Sequence, residues 1–259
     1  GVLTGFNEAF IIDEDKRDEI LKNCKDEDER ERTEKIIKPI LRGRDIFRYG
    51  YRWAGLWLIK IEAGWTNRNR KDNEPENYFK ENFSSVYSHL KEIGDKVEKE
   101  SRKERGKGLY NRDDQGDYWW ELRQCAYYDE FEKEKIVWQE IVQEPSFAYE
   151  NKNFYCEATT FIMTGDNIKY LLGILNSKPV SFFFRKFYAG GGLGGEGYRY
   201  KKAFLEQLPI PKPSDEIQTK ITELVDNMID YTYKKQILKL FLQNKIKSGT
   251  TEMIEVFKE

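Results

Sequence analysis

Residues 170–211 read YLLGILNSKPVSFFFRKFYAGGGLGGEGYRYKKAFLEQLPIP, and the fold turns on how these 42 residues are read. Leu171, Leu172, Ile174 and Leu175 are spaced as a short buried helix. Asn176-Ser177-Lys178-Pro179 ends it, because the residue before a proline is pushed out of the helical region. Phe182, Phe183, Phe184, Arg185, Lys186, Phe187 and Tyr188 then alternate aromatic bulk with positive charge. A glycine run follows, Tyr198-Arg199-Tyr200-Lys201-Lys202 repeats the mixture, and Leu208-Pro209-Ile210-Pro211 makes a rigid exit.

Upstream of this stretch, short β patterns alternate with charged helical ones. Residues 1–12 predict a strand after a Thr-Gly-Phe-Asn turn, and residues 13–37 a charged helix whose acids lie on a solvated face. RWAGLWLIKI (52–61) suits a buried strand, as do KEKIVWQEIV (133–142) and FYCEATTFIM (154–163). Residues 64–77 predict a loop, and Asn77 to about Arg105 a helix with a solvated, salt-laced end. Beyond Pro213 the apolar positions from Ile217 to Ile246 fit one or two amphipathic helices, with Ser214 as their cap. The expectation is an α+β fold, a mixed β-sheet with flanking helices over residues 1–213 and a C-terminal helical segment over 214–259.

Composition excludes several classes. With 35% charged residues, a mean hydropathy of −0.80 and no run near the roughly 18 apolar residues of a spanning helix, a soluble chain with no membrane partner is expected. No secretory signal is visible, and Cys24, Cys125 and Cys156 are odd in number with no C-x-x-C pair, which favours a reducing, cytoplasmic setting and no structural zinc. His89 is the single histidine, so histidine triads and multi-histidine metal sites are excluded by count; it reads as a solvated helix residue. The chain opens on Gly1 instead of methionine, which suits a piece of a longer protein.

The net charge of −2 conceals local patches. Residues 13–34 carry eleven acids and six bases, whereas residues 41–52 set Arg42, Arg44, Arg48 and Arg52 against Asp45, and residues 185–202 set five bases against Glu196. Arginine pairs with phosphate or guanine edges, and tyrosine or phenylalanine stacks on bases or braces the arginines. The candidate DNA contacts are therefore Arg42, Arg44, Arg48 and Tyr49 in one patch, and Arg185, Lys186, Tyr198, Arg199, Tyr200 and Lys201 in another. Arg112, Trp119, Trp120 and Arg123 form a weaker third set.

Catalytic motifs are missing by comparison. Gly192-Leu193-Gly194-Gly195-Glu196-Gly197 matches G-x-G-x-x-G, but a dinucleotide site needs a helix to start there, and Tyr-Arg-Tyr-Lys-Lys follows; the glycines read as a hinge. There is no P-loop and no Asn/Asp-Pro-Pro-Tyr/Phe tetrapeptide, and the clustered acids and lysines at 132–135 signify nothing without geometry. No cofactor and no metal is expected in this chain.

Five motifs occur in an order that resembles a known family. They are Thr4-Gly5-Phe6-Asn7-Glu8-Ala9-Phe10, Ile37-Lys38-Pro39-Ile40-Leu41-Arg42-Gly43-Arg44-Asp45-Ile46, Glu134-Lys135-Ile136-Val137-Trp138, Leu172-Gly173-Ile174-Leu175-Asn176-Ser177 and Leu208-Pro209-Ile210-Pro211. Together they resemble the TaqI-like C-terminal specificity domain, the target-recognition region of type IIG restriction-modification enzymes and N6-adenine DNA methyltransferases. The resemblance implies double-stranded DNA and a methyltransferase domain of the same parent chain as partners. It also implies S-adenosylmethionine for the parent, with Mg²⁺ where the parent also cleaves, and spacer-like helices after the Leu-Pro-x-Pro exit. The alternative is a protein-interaction module acting through the C-terminal helices; a free-standing nuclease is a third reading.

Overall fold

The computed structural model describes residues 1–99, 107–187 and 197–247, without the side chains of 246 and 247. Within them the chain is α+β. A four-stranded sheet has the order β1 (Ile11–Ile12), β5 (Trp57–Ile59), β2 (Ile37–Leu41), β9 (Tyr155–Cys156). Its β2–β9 pair is parallel, with Ile40 beside Tyr155, and its other pairs are antiparallel. An antiparallel three-stranded sheet has the order β10 (Thr160–Met163), β6 (Lys135–Gln139), β8 (Ala148–Glu150). Two small ribbons complete the strands: β3 (Ile46–Phe47) with β4 (Gly50–Tyr51), and β7 (Ile141–Val142) with β11 (Tyr198–Arg199).

Ten α-helices flank these strands among the described residues. The 13–37 run makes two of them, α2 (Glu14–Lys22) and α3 (Glu27–Ile36), because Asp26 accepts a hydrogen bond from Glu29 N at 2.7 Å and starts a new helix inside the charged stretch. Residues 1–12 hold a one-turn helix, α1 (Asn7–Phe10), before β1, where the sequence predicts a strand directly after the Thr-Gly-Phe-Asn turn. The expected 64–77 loop contains α4 (Trp65–Asn69), and α5 (Pro75–Asn82) and α6 (Ser84–Glu98) follow. Residues 100–106 of the expected helix end lie outside the described residues.

Two of the polar readings are corrected. Glu29 is fully buried: its carboxylate accepts from Ser84 Oγ at 2.9 Å and Ser85 N at 3.0 Å, so it caps the N-terminus of α6 from a neighbouring helix. His89 turns inward from α6, with Nε2 3.0 Å from the Ala9 carbonyl, and burial holds its imidazole below its usual pKa.

Strand β6 divides two cores by its period-2 alternation. Val137 faces the first core, built on Phe10, Leu58, Phe79, Leu90 and Trp120. There the Trp120 ring lies parallel to Phe79 at 5.2 Å and to Tyr118 at 4.8 Å. Ile136 and Trp138 face the second core, with Phe147, Leu172, Phe184, Tyr200 and Val225. Its helices are α7 (Ile168–Leu175), α8 (Lys178–Phe187), α9 (Lys202–Leu205) and α10 (Asp215–Lys247). The 33 residues of α10 run about 50 Å, and Ser214 Oγ accepts from Ile217 N at 3.4 Å at their start. Helix α10 lies close on α7 because residue 173 is glycine. A Cβ there would stand 2.9 Å from Val225 Cγ2 and 3.0 Å from Ile221 Cγ2. No helix among the described residues is long and apolar enough to cross a membrane.

Candidate nucleic-acid interface

The second core carries a cleft on its surface, and the sequence builds its walls from separate elements. One wall is the two-residue turn Arg48-Tyr49 between β3 and β4. Tyr49 has φ = 68°, a left-handed conformation that costs a non-glycine residue about 1 kcal/mol or more. Its ring is buried in the second core and its N–H donates to the Phe147 carbonyl at 2.8 Å, and these contacts hold it there. The turn thereby aims Arg48, whose Nη2 donates to the Asn176 carbonyl at 2.6 Å.

The opposite wall is α8. Ser177 ends the preceding turn and its Oγ accepts from Val180 N at 3.3 Å, so the Asn-Ser-Lys-Pro break both closes α7 and opens a second helix. The aromatic-basic run is therefore helical. Phe184 points into the core, and Lys178, Phe182 and Lys186, spaced by four, share a stripe on the outer side beside Ser181 and Arg185. Asn176, itself buried, fixes the third wall. Its Nδ2 donates to the Phe147 carbonyl at 2.9 Å and its Oδ1 accepts from Phe147 N at 3.3 Å, clamping the loop that carries Glu144 and Pro145.

The cleft so formed holds about 460 Å³. Among the described residues four cations line it, Arg48, Lys178, Arg185 and Lys186, against one acid, Glu144, which pairs with Arg185 at 2.6 Å. Arg48 and Arg185 come from patches 137 positions apart in sequence, and the fold brings them to one mouth. Phe182 stands at that mouth with 69% of its surface exposed. The arrangement suits a chain of phosphates with an apolar group among them.

The other sequence candidates fall elsewhere. Tyr198 is half-buried beneath Arg185, whose Cζ lies 5.1 Å from its ring. Arg199 and Lys201 are exposed and share the Glu140 carboxylate at 3.1 and 3.9 Å. Arg42 is held by Asp45 through two side-chain hydrogen bonds of 2.8 and 3.0 Å, and Arg44 beside it is exposed.

Three candidates are buried and are corrected to structural roles. Tyr49 anchors its turn, as described above. Tyr200 stacks on Phe184 at 4.2 Å and its carbonyl accepts from Trp138 Nε1 at 2.8 Å, so its face is not open to a base. Arg112 is 4% exposed and donates to the carbonyls of Thr4, Leu109, Asp114, Trp119 and Glu121, above the Phe10 ring. Burial lowers its pKa to about 10. Of the third set, Trp120 is buried likewise, and Arg123 pairs with Asp114 at 3.0 Å.

Lys178, Phe182, Asn176 and Ser177 were absent from the sequence candidates. The signal that finds Lys178 and Phe182 is the i, i+4, i+8 spacing of Lys178, Phe182 and Lys186, visible once 178–187 is read as a helix. The glycine hinge at 190–195 lies outside the described residues. Gly197 runs into β11 and not into a helix, so this end of the segment offers no helix N-terminus to a cofactor phosphate.

The remaining motif residues are structural. Lys135 in β6 pairs with Glu150, Gly43 packs against the Gln139 side chain, and Tyr170 Oη donates to the Pro211 carbonyl at 2.9 Å, tying the proline exit to α7. Two comparisons with known proteins match this frame. A family model described as the TaqI-like C-terminal specificity domain matches residues 38–210. The type II methyltransferase M.MjaIV of Methanocaldococcus jannaschii is 27% identical over 236 residues, covering 88% of this chain and 69% of that protein.

Proposed function

The chain belongs to the TaqI-like C-terminal specificity domain family, and from that premise we propose that it is the target-recognition region of a site-specific adenine-N6 DNA methyltransferase of the type IIG restriction-modification kind. Its part in that enzyme is to grip and read a double-stranded DNA site. One observation carries the reading: Arg48, Lys178, Arg185 and Lys186 converge on one cleft in a chain whose net charge is −2.

The mechanism follows from these residues. Arg48, Lys178, Arg185 and Lys186 neutralise phosphates, releasing counterions and fixing the register of the protein on the duplex. Arg44, Arg199 and Lys201 are exposed and are further candidate contacts outside the cleft, while Arg42 is braced by Asp45. Helix α10, which follows the recognition body of residues 1–213 and packs on α7 through Val225 and Ile221, is the spacer or docking segment of the parent enzyme. The parent's methyltransferase domain flips the target adenine while this chain holds the duplex. S-adenosylmethionine supplies the methyl group there. Among the described residues nothing fits it: Gly197 runs into a strand, and the sequence has no Asn-Pro-Pro-Tyr-type tetrapeptide.

Gel shifts on random-sequence duplexes at about 50 and about 200 mM salt test the reading. Replacing Arg48, Lys178, Arg185 and Lys186 together with alanine should weaken binding at both concentrations and lower the slope of log K against log salt by about 4. An unchanged slope would remove the cleft from the interface.

A further inference from the structure

The DNA-recognition reading leaves one feature of the cleft without a task. Phe182 projects from the middle of α8 into solvent, although its neighbour Phe184 shows that the second core has room for an aromatic ring one turn-face away. It is bracketed at i−4 and i+4 by Lys178 and Lys186, neither of which has a carboxylate partner among the described residues, and Arg48 and Arg185 stand across and beside it. Four cations around an exposed ring favour an anionic partner over an apolar protein face.

Size narrows the partner further. A cleft of about 460 Å³ is too small for a duplex and large enough for one strand's backbone or a single splayed nucleotide. Lys186 follows Lys178 by eight helical steps, about 12 Å along the axis, with Phe182 at the midpoint. At about 3.4 Å per base step, the two ammonium groups reach phosphates on either side of a central step, and the phenyl ring meets that step.

Resting on the DNA-recognition reading, we infer that Phe182 is a wedge. It inserts at the base step lying over the cleft and unstacks it, while Lys178 and Lys186 hold the flanking phosphates of the same strand. The unstacking favours a kinked site and adds selectivity for flexible steps that no hydrogen bond to a base edge would give.

The test compares two duplexes of one sequence, one fully paired and one with a central abasic site, where unstacking is already complete. The intact chain should prefer the abasic duplex by about tenfold, because the wedge no longer has a base to displace. Phe182→Ala should bind both alike, and Phe182→Trp should restore the preference. Lys178→Ala with Lys186→Ala should weaken both duplexes equally and lower the salt slope by about 2. Because Phe182 is exposed, an unchanged melting temperature checks that the variants fold. The wedge is overturned if the intact chain shows no preference or if Phe182→Ala keeps it. It is also overturned if Phe182→Ala leaves that preference intact and disrupts association with another protein domain, read by size-exclusion chromatography. Absence of salt-sensitive binding to either duplex overturns the DNA-recognition reading as well, so the two failures are distinct.

Discussion

Replacing Glu150 with alanine lowers the stability of the fold by about 3–5 kcal/mol, the cost of leaving one member of a buried ion pair without its partner. Lys135 and Glu150 sit opposite each other on β6 and β8, and both side chains are fully buried. The Lys135 ammonium donates to the Glu150 carboxylate, to the Phe131 carbonyl at 2.7 Å and to the Lys133 carbonyl at 3.1 Å. Glu150 in turn accepts from the backbone N–H groups of Lys152 and Phe154. Removing the carboxylate strands the ammonium and two amides beside the strand that divides the cores. Urea unfolding measures the loss. The double change Lys135→Met with Glu150→Leu should cost less than the sum of the single changes, because charge and partner leave together. A loss under about 1 kcal/mol for Glu150→Ala would mean that water reaches the pair.

Asn176→Ala is expected to cost about 1–3 kcal/mol and to weaken DNA binding as well. It leaves the Phe147 N–H without a partner in a buried setting, at about 1–3 kcal/mol, while the Phe147 carbonyl keeps the Tyr49 N–H. The same change frees the Glu144-Pro145 wall of the cleft and loosens the backbone that receives Arg48. Unfolding curves and the salt slope of duplex binding read the two effects on one protein. Lost stability with unchanged affinity would confine Asn176 to the core and detach it from the cleft.

The sequence carried the frame of this molecule further than its details. The apolar spacing at 171–175, the Ser214 cap and the five ordered motifs are local signals, and three of the motifs correspond to these contacts: Gly173 on Val225 and Ile221, Tyr170 on the proline exit, Lys135 on Glu150. The basic-aromatic patches were also legible, and Arg48, Arg185 and Lys186 meet at one cleft. What failed were inferences from residue type to exposure. Arg112, Glu29 and His89 are polar and lie in charged or polar surroundings in sequence, yet each is buried where backbone groups from distant segments complete its hydrogen bonds. Such partners are tertiary and leave no mark at short range. The stripe on α8 was hidden for another reason. From sequence Pro179 reads as a terminator, whereas in the first turn of a new helix its missing N–H costs nothing.

The most direct test of the central claim is photocross-linking of the full chain to random-sequence duplexes substituted with iododeoxyuridine, followed by peptide mapping. Adducts concentrated on α8 and the Arg48 turn, with Phe182 foremost, are the predicted result. Adducts confined to other surfaces, with α8 and Arg48 unmarked, would contradict the assignment of this cleft to DNA.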